Sequence, residues 1–295
     1  MAAILGIILL GGCGKKDDLP PPPIPLKTLK GRFIPRYLNA PTEFQDDIKL
    51  AKRNRFLQHI ANDLNNKLAL PVNVNVALGA CRDRNSYYNS KTHTITLCYE
   101  MLRDIDSVDF GSDTSDNLNE QTYCILSVVY HEVGHALTDI LGLHRQASIE
   151  DMSDRFSTWL MTVSSRSDRA KYYAQYFNII ASRGEEGVLH DRHLLNRQRR
   201  YNALCLVYGS NVKKYSSLVD DDLLPKERAD GCSAEWQGVD QYWREALKDY
   251  LKKDLRISFR RNYRFQNEAA ADTQQKQANP NLSAGEISPE RVNEP

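Results

Sequence analysis

The stretch LSVVYHEVGHALTDILG, residues 126–142, sets two histidines four apart with a glutamate directly after the first. Leu126, Val129, Val133, Ala136, Leu137, Ile140 and Leu141 recur at helical spacing, and Gly142 stands where such a helix would end. Residues i and i+4 lie one above the other on a helix face, so His131 and His135 can each aim a ring nitrogen at one point. Zn²⁺ accepts neutral imidazole nitrogen at about 2.0–2.1 Å. Glu132 lies about 100° around the helix from His131. It is not placed to ligate, but it reaches a water held by such an ion, where a carboxylate works as general base. The apolar neighbours Val128, Val129, Val133 and Ala136 mark a mostly buried helix, and buried histidines need partners.

A hydrolytic zinc takes three protein ligands and keeps one position open. Just past the helix stands SIEDMSDRFSTWL, residues 148–160. Glu150 and Asp154 are again i and i+4, and the short link 142–147 lets their helix fold back on the first. Glu150 is assigned as the third ligand. Asp154 is assigned as the carboxylate that accepts the remaining N–H of a ligand histidine, His131 first. Asp151 is the rival ligand. Acidic residues in a first helical turn also complement the helix dipole, which accounts for Glu150 and Asp151 better than for Asp154.

The rest of the chain bounds the reading. Its 295 residues carry a formal net charge of +1, with acids and bases interspersed, so no electrostatic footprint for nucleic acid is present. Residues 42–66 carry Phe44, Ile48, Phe56, Leu57, Ile60 and Leu64 at helical spacing. PVNVNVAL (71–78) alternates as a strand, and SYYNSKTHTITLC (86–98) reads as two short strands around a turn at 89–91. Residues 106–118 read as a polar loop. Helices are expected over 120–140, 148–164, 169–182, 195–208 and 233–253. A few strands followed by a run of helices is an α+β pattern.

His-Glu-x-x-His followed by Glu-x-x-x-Asp resembles the gluzincin metallopeptidases. More closely, the chain resembles a bacterial family described as metallopeptidases and catalogued only as a domain of unknown function. The resemblance covers about 70–250. It rests on TITLCYEML (94–102), VVYHEVGHALTDILGL (128–143), EDMSDRF (150–156), DRHLLNRQRRYNALCLVYG (191–209) and LPKERADGCSAEW (224–236). In the fourth segment Leu194 stands where the family usually has serine, and Asn196 where it has aspartate. The resemblance implies a zincin-like fold, in which a small sheet or hairpin precedes a mainly helical half carrying the active-site helix. It implies a zinc-dependent peptide hydrolase acting on peptide or protein substrates. It also implies a donor to the oxyanion of the tetrahedral intermediate: His193, with Asp191 orienting it, or else His190 or Tyr201. The alternative function is a non-catalytic zincin-like module binding peptide or cell wall; loss of Glu132 would be its sign, and Glu132 is present.

Six cysteines occur. Cys13 follows LGG in MAAILGIILLGGCGKKDD, which is similar to a bacterial lipoprotein signal. Residues 1–12 are then a signal peptide, cleaved before a lipidated Cys13. Residues 13–29 are a linker containing LPPPPIP, stiff and extended. The globular domain is expected over 30–262 and a disordered polar tail over 263–295. Cys81 and Cys98 flank the expected hairpin and can pair, as can Cys205 and Cys232 in the late helices. Cys124 lies seven residues from His131, about 10 Å along the helix, so it is a packing residue. These features point to the bacterial cell envelope, with a lipid anchor in the membrane. Gly14, rather than aspartate, after Cys13 favours the outer membrane, facing the periplasm.

Overall fold

The computed structural model describes residues 29–110, 114–144, 146–164, 167–182, 196–261 and 263–265. Residues 1–28, with Cys13, lie outside the described residues, as do His190, Asp191, His193 and the tail from 266 onward.

Four strands, β1 (Phe33–Tyr37), β2 (Val74–Gly79), β3 (Ser86–Asn89) and β4 (Thr94–Cys98), form one sheet in the order β1-β2-β4-β3. β1, β2 and β4 run parallel, and β3 pairs antiparallel with β4, Ser86 opposite Leu97 and Tyr88 opposite Ile95. Val74, Val76, Leu78, Ile95 and Leu97 are fully buried. Ten α-helices are assigned among the described residues: α1 (Gln45–Arg53), α2 (Phe56–Lys67), α3 (Tyr99–Ser107), α4 (Thr114–Ile140), α5 (Ile149–Val163), α6 (Lys171–Ser182), α7 (Asn196–Ser210), α8 (Ser217–Asp220), α9 (Lys226–Ala229) and α10 (Cys232–Ala246). The protein is thus α+β, a small sheet followed by a mainly helical half.

The residue pattern had suggested one helix over 42–66, but the chain breaks it at Arg55, whose φ is 52°. The intervening KRNR, 52–55, offers no apolar residue to carry the stripe across. The Asn54 side chain caps α1 by donating to Leu50 O at 2.9 Å. The break lets Ile48 and Ala51 on α1, and Phe56, Leu57, Ile60 and Leu64 on α2, all reach the core. Four of these elements were not anticipated: β1, which contains Pro35 and only five residues, α3, which starts directly at the end of β4, and the one-turn helices α8 and α9. Within the polar run 106–118, residues 106–107 end α3 and 114–118 begin α4. Asp106 is buried because Arg261, from the far end of the chain, donates to it at 2.7 Å. The last long helix stops at Ala246, and Leu251 instead bridges to Leu68. Tyr263 and Phe265, which composition had assigned to the head of a polar tail, pack edge-on against Phe56.

Helix α4 is the spine. Leu126, Val129, Tyr130 and Val133 are fully buried. Its C-terminus closes as a Schellman turn: Gly142 N–H donates to Asp139 O (3.2 Å), and Leu143 N–H to Thr138 O (3.1 Å). Gly142 supplies the required left-handed backbone, φ 58°. Residues 143–148 then return the chain, and Ser148 caps α5 by accepting from Asp151 N–H. α5 lies so close to α4 that a Cβ on Gly134 would fall 2.8 Å from the Ser153 Cα. Because that contact is backbone, it cannot yield cheaply. Disulfides Cys81–Cys98 and Cys205–Cys232 tie the β3–β4 hairpin and join α7 to α10. Cys124 is buried and free.

Gly134→Ala should therefore force α5 outward and destabilise the fold by about 1–3 kcal/mol. Urea denaturation checks this, and unchanged stability would show that the two backbones separate freely.

Candidate metal centre

The fold-back of α5 on α4 brings two i, i+4 pairs face to face. His131 Nε2 lies 3.1 Å from His135 Nε2. Glu150 Oε2 lies 3.3 Å from the first nitrogen and 3.4 Å from the second. The rings stand nearly perpendicular, at 80°. Four donors placed tetrahedrally about Zn²⁺ at its usual bond lengths are about 3.3–3.4 Å apart, so the triangle of donor atoms matches one face of such a tetrahedron. Asp151, the rival ligand, is turned away and pairs with Arg155 at 2.8 Å.

Asp154, one turn beyond Glu150, reaches the other side of His131, with Nδ1 to Oδ1 at 2.7 Å. A proton on Nδ1 leaves Nε2 as the lone-pair nitrogen facing His135 and Glu150. Burial opposes a charge on His131, but the adjacent Asp154 carboxylate outweighs it, and the pKa is pushed up to about 9. Asp154 is itself buried. Desolvation disfavours its charge, yet Arg199 and His131 hold its carboxyl below the usual carboxylate range. Arg199, in the first turn of α7, makes a two-pronged pair with it: Nε to Oδ2 at 2.7 Å and Nη2 to Oδ1 at 2.9 Å. Tyr173 on α6 donates to the same Oδ1 at 2.9 Å, and Phe177 places its ring 4.2 Å from the Arg199 guanidinium carbon.

His131, His135, Glu150, Tyr173, Phe177 and Arg199 line a cleft of about 490 Å³ whose other wall is β3. Glu132 faces it from α4, accepting from Ser86 Oγ at 2.7 Å. Further along, Tyr88 OH donates to Asp139 Oδ2 at 2.7 Å and lies 3.0 Å from His93 Nδ1.

A family model described as "Putative metallopeptidase" matches residues 39–247. The chain belongs to this family. Neither a curated protein nor a solved structure matches it significantly. Membership in a metallopeptidase family implies a metal ion. Among the described residues two groups gather three candidate donors: Cys81, Cys98 and Glu100, whose two sulfurs are spent in a disulfide, and His131, His135 and Glu150, whose donor set and spacing fit an ion. The remaining sites assigned from the sequence divide as follows. His131, Glu132, His135, Glu150 and Asp154 are brought together. Tyr201 is not: it stacks under Arg200 and does not line the cleft. His193 and Asp191 lie outside the described residues. Ser86, Tyr173 and Arg199 line the cleft without having been singled out. Only the demand of a buried Asp154 for a cation pointed towards Arg199, and nothing local said which of the many arginines would answer it.

Asp154→Asn should weaken metal affinity about 10–100-fold, as loss of a carboxylate behind a ligand imidazole typically does. Competition against a chromophoric chelator measures this; unaltered affinity would mean that His131 needs no such support.

Proposed function

We propose that this protein is a zinc-dependent peptide-bond hydrolase in which Glu132 is the general base. The observation that carries the reading is the triangle of His131, His135 and Glu150 donor atoms at 3.1–3.4 Å, with Glu132 in the same cleft. Zn²⁺ held there would polarise the scissile carbonyl and lower the pKa of the attacking water. Glu132 takes the proton from that water as it attacks and returns it to the leaving nitrogen. Asp154 keeps His131 in one tautomer and orientation. Arg199, anchored through Nε and Nη2 to Asp154, offers Nη1 to a substrate carbonyl. β3 is an edge strand of the sheet, and an extended peptide laid along it would gain main-chain hydrogen bonds beside Glu132. His193 remains the donor assigned to the oxyanion, three residues before the helix whose first turn carries Arg199.

Purified protein should carry about one zinc per chain, and His135→Ala should lose it. Glu132→Gln should keep the metal and abolish turnover, because an amide cannot accept the proton. Full zinc occupancy in the first variant, or parental cleavage by the second, would overturn the assignment. His193→Ala should leave zinc in place and lower kcat and kcat/KM together by about 10²–10³. An unchanged kcat would remove His193 from the chemistry.

For location, we propose a lipid anchor at Cys13 in the bacterial envelope, in the outer membrane facing the periplasm. Two disulfides suit an oxidising compartment. No helix among the described residues is long and apolar enough to cross a membrane. Full-length protein should sediment with membranes in its host and be released by Cys13→Ser; a soluble parent would exclude the anchor.

A further inference from the structure

We propose that Ser86 is a positioning residue that locks the Glu132 carboxylate so that the transferred proton is carried on Oε2 alone. The inference rests on the assignment of Glu132 as base and adds a residue to it. Ser86 opens β3 and is buried, 5% exposed; Glu132 is 4% exposed. The Ser86 hydroxyl donates to Glu132 Oε1 at 2.7 Å across 46 residues of sequence. The Glu132 carboxylate accepts no other hydrogen bond among the described residues. The serine is itself held in place. Its N–H donates to Asn85 Oδ1 at 2.9 Å, its backbone is in register with Leu97 on β4, and the hairpin ends are joined by Cys81–Cys98. Tyr88, two residues on and so on the same face, is bonded to Asp139 of α4, which pins the strand to the helix at a second point.

A carboxylate has two equivalent oxygens, and free rotation would let either take the proton. With Oε1 occupied by the Ser86 donor, Oε2 is the oxygen left open to the cleft. As the water attacks, one of its O–H bonds breaks and the proton goes to Oε2, while the water oxygen's electron pair forms the bond to the carbonyl carbon. The acid's Oε1 remains an acceptor, so the Ser86 bond persists through the transfer. When the C–N bond breaks, the proton leaves Oε2 for the nitrogen and the carboxylate is restored. Without Ser86 the group can turn about its last bond and hold the proton away from the nitrogen, a misplacement of about an ångström that typically costs up to about 10²-fold in rate.

The test uses the full chain with its metal and then without it. On a peptide that the parent cleaves and Glu132→Gln does not, Ser86→Ala should lower kcat about 10–100-fold with KM and metal content unchanged. Ser86→Thr, which keeps the hydroxyl on a residue suited to a strand, should recover to within about threefold of the parent. In the metal-free protein, the infrared carboxylate band assigned to Glu132 by its loss in Glu132→Gln should move in Ser86→Ala and not in Ser86→Thr. Parental kcat in Ser86→Ala, a change in KM alone, a failure of Ser86→Thr to rescue, or an unmoved band would overturn the proposal. Should Ser86→Ala fold poorly, Ser86→Cys, nearly equal in volume and a weak donor, replaces it under the same criteria. A moved band with no Glu132-dependent cleavage of any peptide would instead bring down the peptidase reading, and the role of Ser86 in proton transfer with it. An unmoved band beside Glu132-dependent cleavage would bring down the Ser86 inference alone.

Discussion

Two helices must pass almost backbone to backbone before carboxylates one turn apart can meet histidines one turn apart. That constraint is met at Gly134, where α5 approaches α4 too closely for a Cβ. The glycine lies between the two histidines, directly before His135, so a tight approach of the helices falls where the donors converge. The tight return is set by the Schellman turn at Gly142 and the Ser148 cap. Long-range packing then sets the angle: α6 and α7 lean on α4 and α5 and bring Tyr173 and Arg199 to Asp154. With a wider helix pair, Glu150 would face solvent in an ordinary acidic first turn, and Asp154, one turn on, would lose His131 as a partner.

Electrostatics explains why so many charges tolerate burial here. Isolated buried charges cost several kcal/mol each, and Asp154 avoids this by accepting from Arg199, His131 and Tyr173 together. Immediately around the two histidines, Glu132, Glu150 and Asp154 bring three negative charges when ionised, and Arg199 brings one positive charge. With both imidazoles neutral, the excess is two negative charges, the amount a divalent cation balances. When no ion is bound, the raised His131 pKa offsets part of that excess with a proton. The same carboxylates thus favour a metal or a proton at one place, and metal uptake must release the proton.

What could be read in the sequence was local and periodic. The apolar stripe of 126–141, the i, i+4 pairs and the glycine stop define α4 and α5 without any knowledge of the partners. Glu150 against Asp151 was a question of about 100° around a helix; in the fold Asp151 pairs with Arg155 one turn on in the same helix, while Glu150 lies beside both histidines. Ser86 and Arg199 could not be read, because each meets its partner across 46 and 45 residues respectively and neither carries a periodic signal. Short elements were lost for a different reason. β1 has a proline and five residues, so its propensity is poor and its existence depends on pairing with β2. The polar run at 106–118 concealed helix ends because Asp106 is paired with Arg261, and composition alone treats buried paired charges as solvated.

The edge of the sheet follows from the same economy of contacts. β3 has only four residues and is the last strand of the sheet, so it draws no stability from a strand on its outer side. Its support comes from elsewhere. The Cys81–Cys98 disulfide closes a 17-residue separation, which in the chain-entropy account is worth about 3 kcal/mol. Glu100 on α3 accepts the backbone N–H groups of Cys81 and Arg82 at 3.1 and 2.7 Å, holding the entry to the hairpin. Tyr88 and Ser86 fasten its inner face to α4. Among the described residues no strand pairs with its outer edge, and the side chains that hold the strand are the ones that touch Glu132 and the end of α4. In the proposed peptidase, rigidity of the strand beside the cleft and orientation of Glu132 thus share the same two contacts.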